Sequence, residues 1–577
     1  MSFPSIRVGG LERGPVAAVV IGSSFVLVGL WARVPMWVGP AVVTALLVTV
    51  IVRVNGRTTA RWLLDWGAYR FGLEARARER AERLTLRDVE VAAGVCGVHE
   101  AGSTLVAMIQ LAPNLDLPTV ISEKSLYTED VVPVGALLPL RDQFGIAVDI
   151  DIVTTGQRVR PASSYSMLYD QLIGSHPVVG SRVTWLVVRL DQERNLSALS
   201  RRGPVEVAAP KALASAAHRI AGRLRERGIA AHALPADALR DATRLLHAGV
   251  ELSDLREKWG HLESSAPGRL VTSFLIDWTQ LDDTGLDDCW SWNRGRTTVV
   301  VSLAGGALGS RGLVRCVGPA ATSEPPGFLR PLGGRQSTAL LATLPTGTSV
   351  HDLTVDEPGI EITPDELLDL AVTIGPNGQI LGAISGQPRH TLALPLFDPA
   401  RYNPRRRTID VHANLPVAQQ IVLRAMVVGA DVEVHSARPD RWSQLVSAVG
   451  DPNSLRLATD SREVNPDADS ATPPATIAVF DQVPPQVSAA HTTVTISEPG
   501  TPRRRSVDLA INQVSATAVD VSIPMRTVRV DLIEPRGETR YYDPSIGPPA
   551  RNGNGNMPAQ PTAVPQPGAA MTDESRR

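Results

Sequence analysis

The chain has 577 residues, with 57 Lys and Arg against 59 Asp and Glu and a formal net charge of −2. Balanced charge argues against nucleic-acid binding, which favours a basic domain. The cysteines, Cys96, Cys289 and Cys316 alone, are too few and odd in number for a disulfide framework and fit a reducing compartment.

Two uncharged apolar runs come first, Pro15 to Trp31 and Val34 to Val52, separated by little more than Arg33. A helix of about 20 residues, or as few as about 17, crosses a bilayer core of about 30 Å. A cleaved signal would have one short apolar core and no second span. The pattern therefore predicts a two-helix transmembrane hairpin, helices about 15–31 and 34–52, within an N-terminal segment 1–52. Arg7 and Arg13 precede it, and Arg53, Arg57 and Arg61 follow it. Positive residues resist translocation, so both termini are expected in the cytoplasm, with the chain a multi-pass protein of the inner membrane. Trp31 and Trp37 flank the short turn, as interfacial aromatics do. Gly22, Ser23 and Ser24 in the first run, and Gly39 and Ala41 in the second, are the small residues through which membrane helices pack.

Residues 53–90 read as a basic juxtamembrane helix. Trp62, Trp66, Tyr69 and Leu73 recur at helical spacing beside many arginines, which suits a stripe at the lipid headgroups. Glu74, Glu79 and Glu82 give the later part the character of a salt-bridged stalk.

A first α/β region is expected over 91–400. Val89 to Ala112, Gly145 to Val153 and Val183 to Leu190 read as strands. Pro210 to Arg227 is an amphipathic helix with Pro210 in its first turn and Gly228 as its left-handed cap. A strand at 229–234, a helix at 236–247 and strands at 270–276 and 297–303 follow. Gly375-Pro376-Asn377-Gly378, between two apolar runs, predicts a hairpin. A second α/β region is expected over 401–545: strand 408–412, helix 416–428, strand 431–435, helix 439–449, then strands from 476 to 532. The tail, 546–577, is Pro, Gly, Asn and Gln without apolar periodicity and is expected to be disordered.

Motifs that carry chemistry are sparse. Gly333-Gly334-Arg335-Gln336-Ser337-Thr338 lacks the lysine and spacing of a phosphate loop, and the glycines of 305–309 lack dinucleotide spacing. Asp149 and Asp151 share one face of a strand, read as a solvent face, with a metal pair as the alternative. Asp282, Asp283, Asp287 and Asp288 beside Trp290 and Trp292 read as a solvated loop, or else an interaction surface. Asn195-Leu196-Ser197 matches a glycosylation sequon that a cytoplasmic side would leave unused.

The order of these features, with GVCGVHEAGSTLVAMIQLAP at 94–113 and TIDVHANLPVAQQIVLRAMVVGADVEVHSARPDRW at 408–442, resembles the EccE family of type VII (ESX) secretion systems over residues 10 to 540. The resemblance implies a non-enzymatic structural subunit of a large oligomeric membrane complex. It further implies EccB, EccC and EccD as partners, contact with membrane lipids, no cofactor and no catalytic residues to carry over. Two other readings stay open, a membrane-anchored glycosyltransferase-like enzyme built on Asp149 and Asp151, and a ligand-binding regulator.

Overall fold

The computed structural model describes residues 85–543, apart from 124, 162–163, 282–284, 293–294, 305–308, 354–358, 401, 403–404, 459–474 and 503–505. It also describes 6–8, 52–54, 57–58, 66–67 and 69–70. The described fold is mixed α/β with mostly strands, gathered into a 13-stranded and a 12-stranded sheet.

The first sheet is antiparallel at every pairing. Its centre is the strand Asp149–Gln157 between Arg296–Leu303 and Ser181–Asp191, and the latter also pairs with Thr104–Leu111. Alternation decides which core each residue joins. In Ser181–Asp191, Leu186, Val188 and Leu190 enter one core, while Val183, Trp185 and Val187 enter the core on the opposite face. Side chains on a strand alternate faces, so a sheet covered on both sides reads as an unbroken apolar run, as VTWLVVRL does. The helix Val205–Glu226 covers the first face, its buried Ala208, Ala209, Ala212, Ala216 and Ala217 permitting close approach. The helices Ala236–His247 and Gln336–Ala342 lie on the second.

The long helix starts earlier than its sequence pattern suggests. Pro204 precedes Val205, and Pro210 sits inside the helix rather than in its first turn. The far end forms as expected: Gly228 has φ +83°, and Gly228 and Ile229 donate to the Arg225 and Leu224 carbonyls at 3.0 Å each. This is the paired closure of a Schellman cap.

The second sheet joins two grammars. Leu455–Leu457, Val432–Ser436, Ile477–Asp481, Thr492–Ser497, Arg407–His412 and Leu509–Gln513 are neighbours in that order and all parallel. The helices Leu415–Val427 and Asp440–Val449 connect the first of these strands in sequence. Beyond Leu509–Gln513 the sheet turns antiparallel, and Gln379–Ile384, Gln387–Leu394 and Thr119–Ile121 extend it.

Two expectations are corrected here. The α/β (mixed α+β) region was expected to hang from a two-helix transmembrane hairpin. Among the described residues no helix is long and apolar enough to cross a membrane. Helix 15–31 and nearly all of 34–52 lie outside the described residues, and the last residue of the second span begins the strand Val52–Val54, paired with Ile6–Val8. Alternating valines favour a strand as readily as a span, and the pattern alone does not separate them. The multi-pass arrangement with both termini cytoplasmic loses its support with the hairpin. Within 53–90, Arg57–Thr58 and Leu86–Val91 are strands, while residues 66–67 and 69–70 are helical and the remainder of the expected basic helix lies largely outside the described residues. The tail 546–577 lies outside the described residues.

The hairpin expected at Asn377-Gly378 does not form either. Ala371–Thr373 pairs with Val131–Pro133, and Gln379–Ile384 pairs with Gln387–Leu394, so the chain passes from one sheet to another at this point. The Asn377 side chain is buried; its Oδ1 accepts from the Val179 N–H at 2.8 Å and its Nδ2 donates to Thr119 at 3.3 Å. Tertiary partners override the turn preference.

Candidate functional site

The strongest polar constellation lies where the C-terminal end of the described chain meets the second core. Glu538 and Arg424 are both buried. Arg424 donates from Nε to Oε1 at 3.0 Å and from Nη2 to Oε2 at 2.9 Å, a two-pronged pair. Its Nη1 donates to the Ile380 carbonyl at 3.0 Å, Gln420 donates to Glu538 Oε2 at 2.8 Å, and the Tyr165 hydroxyl also donates to Glu538. Burial alone would pull the Arg424 guanidinium down, but Glu538 holds it above its ordinary range. The cluster thus ties the helices Ser164–Ile173 and Leu415–Val427, the strand Gln379–Ile384 and the segment at 538 to one another. A similar knot surrounds Asp481, which is buried and accepts from Arg438, Ser436 and the Trp442 indole at 2.7 to 2.9 Å. The Arg-Pro-x-x-Trp sequence at 438–442 supplies two of those donors. Neither carboxylate stands out in the sequence, because each partner lies at least 39 residues away from it.

The candidate acids have structural partners. Asp151 was expected at solvent but is fully buried, paired with Arg189 and accepting from the Ser302 hydroxyl at 2.5 Å. Arg189 also donates to the Thr346 and Leu344 carbonyls at 2.8 and 3.0 Å. The sheet is covered on both faces, so the polar alternation of VDIDIV marks an internal ion pair rather than a wet surface. Asp149 sits at the margin and pairs with Arg194 at 3.0 Å. Asp282 and Asp283 lie outside the described residues. Trp290 is buried, and Trp292 packs edge-on against Phe274 with ring centres 5.5 Å apart. Both tryptophans therefore serve the interior rather than an exposed loop.

Other motifs resolve in the same way. Gly333 and Gly334 are the seat of Trp259: a Cβ on either would lie 2.5 or 2.6 Å from its indole, and Gly334 has φ +70°. Asn195 of the sequon is buried, its Nδ2 donating to the Ala147 and Asp191 carbonyls at 2.9 and 2.8 Å, so no sugar could reach it in the fold. All three cysteines are free and buried, and burial pushes the Cys96 and Cys316 thiols up to about 12. Such thiols are poor nucleophiles. Among the described residues no group of three or more His, Cys, Asp or Glu is placed to hold a metal.

Of the residues expected at a membrane interface, Trp31, Trp37 and Trp62 lie outside the described residues, as do Gly22, Ser23, Ser24, Gly39 and Ala41. Trp66 is exposed, and the Tyr69 ring packs edge-on against Trp259 at 6.0 Å.

A recess of about 510 Å³ lies between the helix Ala236–His247, the sheet residues Gln110 and Trp185, and Pro399, Ala400 and Tyr402. That volume is in the range of small-ligand and side-chain pockets. The Trp185 indole N–H is buried without an acceptor, while Gln110 donates to the Tyr402 carbonyl at 2.7 Å. At the rim, Arg244 pairs with Asp241 at 3.2 Å.

Comparisons with known proteins bear on the same part of the fold. The model of the EccE family, described as a type VII ESX secretion system translocon, matches residues 178–276. That stretch contains the strand Ser181–Asp191 and the helices Val205–Glu226 and Ala236–His247. The chain is 26% identical over 548 residues to the ESX-2 secretion system protein EccE2 of Mycobacterium tuberculosis, covering 92% of each. It is 28% identical over 314 residues to the ESX-1 protein EccE1 of that organism, covering 52% of this chain and 62% of the relative. To the ESX-5 protein EccE5 it is 28% identical over 345 residues, covering 55% of this chain and 81% of the relative.

Proposed function

We propose that this chain, whose resemblance to the EccE family those matches bear out, is a structural, non-enzymatic subunit of a type VII (ESX) secretion complex that supports export of substrate proteins. The observation that carries the reading is the alignment with an ESX-2 EccE protein along 92% of both chains. The engagement of polar groups agrees with it. Asp149 and Asp151, on which a glycosyltransferase-like alternative rested, are each held by an arginine. Two buried carboxylates, Glu538 and Asp481, bind elements together. A subunit of this kind presents a fixed surface to its neighbours, and EccB, EccC and EccD are the proposed neighbours. The test is purification of the tagged chain from its own cells in mild detergent. Co-purification of EccB, EccC and EccD in one large species is expected. Recovery of the chain alone, with the other components intact in a separate complex, would overturn the reading.

A further inference from the structure

The short hairpin of Asp142–Gln143 and Ile146–Ala147 closes through Phe144 and Gly145. Both closing residues have positive φ, +53° and +77°, the pattern of a type I′ turn, whose first position favours Asn, Asp or Gly. A bulky ring is strained there, and Phe144 is also 80% exposed. Strain and wetting both count against this side chain in the free chain, and such outliers gather at functional sites.

The ring is nevertheless held in one place. The Arg219 guanidinium lies over it, 4.6 Å from its centre, and Arg202 donates to the Phe144 carbonyl at 2.7 Å. The base of the hairpin is fixed too. Ile146 is buried, and the Asn195 side chain bonds the N–H and the carbonyl of Ala147 at 2.8 and 2.9 Å. Among the described residues neither arginine has a carboxylate partner; Arg219 donates from Nε to the Ser215 carbonyl at 3.2 Å. Burial and then the Arg202 charge draw the Arg219 guanidinium down.

We infer that Phe144 is an anchor for a neighbouring protein, its ring entering an apolar pocket whose rim carboxylates neutralise Arg202 and Arg219. The inference rests on the proposed function, which supplies the neighbours. Aromatic and arginine side chains carry much of the binding energy at protein interfaces, and a ring already set in place loses little freedom on docking. Anionic lipid fits less well. Recognition of a membrane by charge takes about four to eight basic residues, and adhesion grows with buried apolar area, of which one ring supplies little.

The test compares the wild-type chain, Phe144→Asn, and Arg202→Gln combined with Arg219→Gln. Each is tagged at full length, purified from its own cells in mild detergent, and also melted alone. Asparagine suits the turn, so Phe144→Asn should not lower the melting midpoint, yet recovery of the neighbouring subunits should fall by about tenfold or more. The arginine variant should lose recovery as well, and Phe144→Asn decides the matter if that variant does not fold. Undiminished recovery with either folded variant overturns the inference alone. Lost recovery with a lowered Phe144→Asn midpoint would place the ring in the fold and overturn it too. So would sedimentation with phosphatidylglycerol vesicles that Phe144→Asn abolishes, which makes lipid the occupant, or a change from two copies to one in the isolated chain, which makes a second copy the occupant. A wild-type chain recovered alone, with the complex intact elsewhere, overturns the proposed function and this inference with it.

Discussion

The two sheets treat buried positive charge differently. In the second, the buried Arg424 faces Glu538, and the half-buried Arg438 faces the buried Asp481, each guanidinium held by two prongs. In the first, Arg189 has Asp151, but Arg315, which is fully buried, has the Leu246 carbonyl and the Thr298 hydroxyl as hydrogen-bond partners and two nitrogens with none. Burial draws the Arg315 guanidinium down to about 9. Paired charges fix elements far apart in sequence, and their loss strands an ion in the core. Cations with only neutral partners tie less together, and their removal strands at most a carbonyl or a hydroxyl. The lesson is that burial alone does not tell which arginines hold the fold; the partner does.

The contrast can be broken most sharply at Glu538. Glu538→Ala leaves Arg424 buried and uncompensated and should lower stability by about 3–5 kcal/mol, measured by denaturant unfolding. A loss below about 1 kcal/mol would remove the distinction between the sheets. Asp151→Ala strands Arg189 in the same way and should cost nearly as much, about 3 kcal/mol. This also distinguishes an internal ion pair from the solvent-facing strand expected from the alternation, where substitutions stay within about 0.5 kcal/mol.

Arg315→Met is the counterpart in the unpaired group. It should change stability by no more than about 1 kcal/mol in either direction, from a lost neutral hydrogen bond set against a removed buried charge. A pH profile sharpens the same point. Burial, and then the Arg315 charge, lower the His247 imidazole from 6.5 to about 4. Between those values the unfolded chain binds a proton that the folded chain does not, so stability is lost as pH falls from 6.5 toward 4. His247→Gln should flatten that limb by up to one proton, read from unfolding midpoints across the window. An unchanged slope would contradict the assignment. The smallest effect is expected from Asp149→Asn, whose part-exposed pair with Arg194 should be worth less than about 1 kcal/mol.

Much of the fold was legible. The strand Leu270–Ile276 and the helix Ala236–His247 fall where periodicity placed them, and the elements from Arg407 to Val449 follow within a residue. Each is a long periodic run with its own start and stop residues. The strands Ser310–Gly318 and Gln387–Leu394 were not read, because Gly312, Arg315 and Pro388 interrupt their apolar pattern and only tertiary pairing compensates. Asn377-Gly378 misled because a turn signature says nothing of the partners that claim the asparagine. The polar sites were the least legible part. Glu538 is an ordinary glutamate in sequence, and only the fold brings Arg424, Gln420 and Tyr165 to it. Resemblance, by contrast, is spread along the chain, so the family could be recognised without any site.

The central claim is that this chain is a structural part of a type VII export machine, and substrate export measures it most directly. In cells lacking the chain, export of that system's substrates should stop and the complex should fail to assemble. The wild-type chain should restore both, and Asp149→Asn should restore them equally. Normal export in its absence, with the complex assembled, would contradict the account.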